Sequence, residues 1–82
     1  MDSKKVLEVI DIYKEYFLEN GNVQLTDVTA HCYGMLEKME KFILEGKMEK
    51  TFRWLGFIQG CLWSLGIYSL EDLKNHNRTR SN

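Results

Sequence analysis

Apolar side chains recur at helical spacing from the start of the chain. Val6, Val9, Ile10, Tyr13 and Phe17 recur at spacings of three and four (6/9, 6/10, 9/13, 10/13, 13/17), which places them on one face of a helix. Asp2 or Ser3 supplies the N-cap, the helix runs from Lys4 to about Glu19, and Asn20 with Gly21 offers the left-handed conformation that closes many helices. Asn22 to Leu25 then read as a short loop. Thr26 or Asp27 caps a second helix that reaches about Glu45 and stops at Gly46. Its apolar line is Val28, His31 or Cys32, Met35, Met39 and Phe42, with Ile43 beside it. Glu37, Lys38, Glu40 and Lys41 fall on the solvated side. His31, on the apolar line, is expected to be packed and hydrogen-bonded.

The third helix breaks the amphipathic pattern. It begins near Lys47 or Met48 and carries Phe52, Trp54, Leu55, Phe57, Ile58, Cys61, Leu62, Trp63 and Leu65, which at about 100° per residue encircle the axis. Only Arg53, Gln59 and Ser64 interrupt them, and Gly66 ends the helix. Ser69 and Asp72, three apart, form a capping box for a short last helix from Leu70 to about His76. The expected fold is all-α: a three-helix core with a short fourth C-terminal helix, forming one domain over residues 1–77 with a flexible tail at 78–82.

A helix that is apolar all round must be covered on more than one side. So few residues remain to cover the third that part of Trp54, Phe57 and Trp63 is expected to stay exposed, and large exposed apolar patches mark interfaces. Gly56 and Gly60 stand four apart on one face, each costing roughly 1 kcal/mol relative to alanine. The first explanation is close packing inside the domain. The second is a seam for a partner or for a second copy of the chain. Arg53, Trp54, Gly56, Phe57, Gly60 and Trp63 are therefore the candidate partner-binding residues.

Composition narrows the function classes. Hydrophobic residues make up 44% and charged residues 28% of 82, which is globular and not disordered. With 11 basic against 12 acidic residues the net charge is −1, giving no general attraction to nucleic acid or acidic lipid. The apolar run from Trp54 to Leu70 contains Gln59, three glycines and two serines, so it reads as a buried helix and not a membrane span, and no membrane insertion is expected. Two isolated cysteines and a charged N-terminus point to a reducing cytoplasm.

No motif for chemistry emerges. His31 and Cys32 are adjacent, an awkward spacing for joint ligation, and Cys61 and His76 lie far from them in sequence. Both cysteines are expected to act as small core hydrophobes. No glycine-rich phosphate loop is present. Lys50, Arg53, Lys74, Arg78 and Arg80 flank the apolar helix and would form a modest phosphate site only if the fold gathered them. The residues thus predict no catalytic, metal or cofactor site, and a protein that works by binding.

Residues 50–78, KTFRWLGFIQGCLWSLGIYSLEDLKNHNR, resemble the C-terminal half of small proteins of tailed bacteriophages: R-W-L-G-F-x-Q-G, then L-W and L-G, then a capped D-x-K-x-H-N-R ending. A weaker echo covers His31 to Glu40. Within that group, size and character are similar to the cytoplasmic antiholins of T-even phages. The resemblance implies lysis inhibition by binding the cytosolic segment of a holin, and it carries no motif that places the contact residues. Two alternatives remain open. One is a counter-defence protein sequestering a nucleotide signal or a host defence protein, the nucleotide form needing Lys or Arg beside an aromatic ring. The other is a nucleic-acid-binding regulator, which needs its basic residues on one face.

Overall fold

The structure, a computed structural model, describes residues 2–24 and 27–78. Four helices and no strand occur among them: α1 (Ser3–Gln24), α2 (Asp27–Leu44), α3 (Met48–Ser64) and α4 (Leu70–Asn77). The all-α fold with three long helices and a short fourth is as the periodicity predicts. α2 packs against both α1 and α3, and α4 lies against α1 and α3. The core between them is Val6, Val9, Ile10, Tyr13 and Phe17 from α1, with Cys32, Leu36, Met39, Leu55, Ile58, Leu62 and Leu73. The α1 line is thus the line its spacing predicts.

Helix ends follow local chemistry. Asp2 Oδ1 accepts from the Lys5 amide at 2.9 Å, capping α1. At the end of α2, the Lys47 amide reaches the Phe42 carbonyl at 2.8 Å and the Gly46 amide that of Ile43 at 3.1 Å. The end of α3 repeats this, Ile67 to Leu62 and Gly66 to Trp63. Both are Schellman closures, which need a left-handed residue, and Gly46 and Gly66 have φ of 77° and 74°. Ser69 and Asp72 form the predicted box in full, each side chain accepting from the other's amide at 3.1 Å.

Two expectations are corrected. α1 does not close at Asn20–Gly21 but continues to Gln24, so Asn22 to Gln24 are helical and not loop. Asn20 spends its side chain inside the helix, donating to the Tyr16 carbonyl at 2.9 Å, and a helical glycine costs only about 1 kcal/mol. Leu25 and Thr26, the remaining loop and cap positions, lie outside the described residues, as do residues 79–82 of the expected tail. In α2 the buried seam is Thr29, Cys32, Leu36 and Met39, so of the expected line Cys32 and Met39 are in the core while Val28, His31 and Met35 give way to Thr29 and Leu36. The helix is turned by one residue, about 100°, which leaves Val28 and His31 exposed and Met35 half-buried. His31 is therefore not a packed core histidine.

Candidate functional site

The inner arc of α3 is Thr51, Leu55, Ile58, Gln59 and Leu62. Everything else on that helix faces the rim or solvent. On the side away from that arc Phe52, Phe57 and Trp63 are exposed, so among the described residues no further layer covers α3 there.

Five of the six candidate residues share the outer face. Gly56 and Gly60 are exposed, and a Cβ built on either would meet nothing within 4 Å. Close packing inside the domain is thus not why these glycines are there. Phe57 and Trp63 are each 53% exposed on opposite flanks of that glycine stripe, and Phe52, 41% exposed, stands on the Trp63 flank. Arg53 is exposed and pairs with Glu49 one turn earlier, Nη1 to Oε1 at 3.4 Å. Beside the Phe57 flank, Val28, Cys61 and Leu65 help to line an apolar groove of about 450 Å³.

Trp54 sits apart from the others. It is half-buried toward α2, edge-on to Phe42 with ring centroids 4.8 Å apart, and Lys50 Nζ lies 4.5 Å from the Phe42 ring and 5.6 Å from the indole. Lys50 and Arg53, the basic pair ahead of the apolar helix, are each engaged by close neighbours. Arg80 lies outside the described residues. On the α2 side of Trp54, a groove of about 410 Å³ is lined by Ala30, His31, Gly34, Met35, Lys38 and the indole.

In the sequence Gln59 interrupts the apolar helix, and in the structure it is the hub of a polar junction. Its Nε2 donates to Tyr13 Oη at 2.9 Å and to Asn77 Oδ1 at 2.6 Å, while Asn77 Nδ2 returns a bond to Oε1 at 3.0 Å. Tyr13 Oη is also 3.0 Å from His76 Nδ1. The Gln59 NH2 donates to the phenol oxygen, and the phenol in turn donates to Nδ1 when the imidazole carries its proton on Nε2, or accepts from Nδ1 in the other tautomer. Tyr68 covers the junction, 4.8 Å from the His76 ring and 5.6 Å from Tyr13. Burial pushes the Tyr13 phenol up to about 12 and holds His76 below its ordinary value, against the opposing pull of Asp72.

Among the described residues no buried side-chain nitrogen or oxygen lacks a partner. The junction thus spends its polar atoms on holding α4 to α1 and α3. A signal for Gln59 existed in the spacing, since it stands four residues after Leu55 and three before Leu62.

Cys32 is buried and Cys61 half-buried, and both are free thiols. Burial, with the neighbouring Cys61 thiol adding to it, pushes Cys32 up to about 12, so it is a packing group and not a nucleophile. No three of His, Cys, Asp and Glu converge among the described residues. No helix there is long and apolar enough to cross a membrane. No family model, no curated protein and no solved structure matches this chain.

Proposed function

We propose that this protein is a small cytosolic phage regulator that acts by stoichiometric binding of another protein, without catalysis, through the outer face of α3. The observation that carries this reading is the half-exposure of Phe57 and Trp63 on either side of the open backbone at Gly56 and Gly60. Fully burying one such side chain contributes about 1.5–3 kcal/mol, so finishing the burial of both gives a partner roughly that much in total. Tryptophan and arginine are the residues most often dominant in binding, and Trp63 and Arg53 stand on this face.

The candidate partner is the cytosolic segment of a holin, by the resemblance of residues 50–78 to small phage proteins. An antiholin of this kind would hold that segment and delay its assembly into membrane holes. Co-purification of the full chain with the holin segment, lost in Trp63→Ala while the thermal unfolding curve is unchanged, is the expected result. Failure to bind any holin segment would sink that partner.

The groove of His31, Lys38 and Trp54 favours a second reading, sequestration of a nucleotide signal, because it sets an ammonium and an imidazole beside an indole. A thermal-shift panel of nucleotides tests it: a ligand at 100 times its dissociation constant adds about 2.7 kcal/mol. A flat panel removes this alternative.

A further inference from the structure

We infer that the outer face of α3 pairs with a second copy of this chain, the two α3 helices running antiparallel about a two-fold axis level with Ile58. The inference rests on the reading of this face as the binding surface, and it adds a competitor for that surface.

The face is complementary to itself in one register. Phe52 and Trp63 are eleven residues apart, three helical turns to within about 20°, so they stand on the same flank with Gly56 between them. An antiparallel two-fold keeps like flanks together and reverses their direction. It therefore sets Gly56 against the second copy's Gly60, and Phe52 against the second copy's Trp63, each contact occurring twice. The bare glycines let the two backbones approach closely, because among the described residues no atom lies within 4 Å of a Cβ built on either. Phe57 lies next to the axis on the other flank, where the groove of Val28, Gly60, Cys61 and Leu65 is placed to receive the second copy's Phe57 ring.

Charge selects the direction. Glu49 and Arg53 occupy the N-terminal half of the face, whereas Trp63 and Leu65 make the C-terminal half apolar. A parallel pair would set Arg53 against Arg53. The antiparallel pair sets each charged half against the other's uncharged half and opposes the helix dipoles.

Area selects the strength. The exposed parts of Phe52, Phe57 and Trp63 amount to roughly 300 Å² on each copy, taking about 200 Å² for a whole aromatic side chain. With Val28, Leu65 and the arginine stem, a pair buries on the order of 1,000 Å², the size of a reversible contact and not of a permanent dimer.

Sedimentation equilibrium of the full chain over a wide concentration range tests the pairing. The expected result is a reversible shift from the 9.7 kDa monomer toward twice that mass. Gly60→Leu, which fills open space and leaves the fold intact by circular dichroism, should raise the dimer dissociation constant about tenfold or more. Phe52→Glu and Trp63→Lys should each weaken the dimer, and an equimolar mixture of the two should restore it by pairing the new charges. A monomer at every concentration, or a Gly60→Leu chain as dimeric as the parent, overturns the pairing; failure of the mixture to recover overturns the antiparallel register. A monomeric chain that still captures a holin segment rejects the dimer alone. A dimer that captures none leaves the pairing standing and rejects the proposed partner.

Discussion

The side-chain amides of Gln59 and Asn77 bond each other twice, Nε2 to Oδ1 at 2.6 Å and Nδ2 to Oε1 at 3.0 Å, joining the middle of α3 to the last residue of α4. Gln59 also donates to Tyr13, so one buried amide ties three helices together. Gln59→Leu leaves the phenol and the Asn77 amide short of partners. We expect a loss of about 2–3 kcal/mol, since an unsatisfied buried group costs about 1–3. Urea unfolding should show a lower midpoint with an unchanged slope.

The same junction makes stability depend on pH at both ends. The unfolded chain holds a tyrosine proton up to about 10, and the folded chain holds that of Tyr13 up to about 12. Stability from this group is whole below pH 10 and falls as pH rises from 10 toward 12, with Tyr68 shifted the same way. His76 is held low, so unfolding takes up a proton, and stability falls as pH drops below about 6.5. Midpoints measured from pH 4 to 12 should trace both edges, and Tyr13→Phe should flatten the alkaline one.

Glycines at opposite kinds of position should answer alanine with opposite signs. Gly56→Ala and Gly60→Ala, in open helical positions, should each stabilise the monomer by about 1 kcal/mol. Gly46→Ala and Gly66→Ala, at positive φ, should each destabilise by about 1–2 kcal/mol. Thermal unfolding at low protein concentration separates the two classes.

Ser69→Ala removes one half of the capping box on a helix of eight residues. A loss of about 1 kcal/mol is expected. Because the Asn77 pair and the His76 bond depend on α4, hydrogen exchange at Leu73 and Lys74 should accelerate more than exchange in α1.

Cys61 should react with a thiol reagent well before Cys32 in the folded chain, since Cys32 is buried with its thiol pushed up to about 12. Mass spectrometry of the singly labelled species locates the adduct. A first adduct on Cys32 would contradict the packing.

How much was legible beforehand depended on whether neighbours in sequence competed. The α1 seam, the glycine closures at Gly46 and Gly66 and the Ser69–Asp72 box are local matters of spacing, φ and hydrogen-bond reach, and residue order alone determines them. α2 offers two apolar lines one residue apart, through His31 and Met35 or through Cys32 and Leu36, and only the packing of α1 and α3 on it decides for the second. Asn20–Gly21 carries a stop signal worth no more than about 1 kcal/mol, which α1 overrides. On α3, order determined that the apolar surface exceeds what this short chain can cover. Tertiary structure decided which part is left over: Leu55, Ile58 and Leu62 go inside, Trp54 goes to the α2 flank, and Phe57, Gly60 and Trp63 go outside. Gln59 joins the inside because Tyr13, His76 and Asn77, from two other helices, satisfy the junction's polar atoms, a condition that no single helix's periodicity expresses.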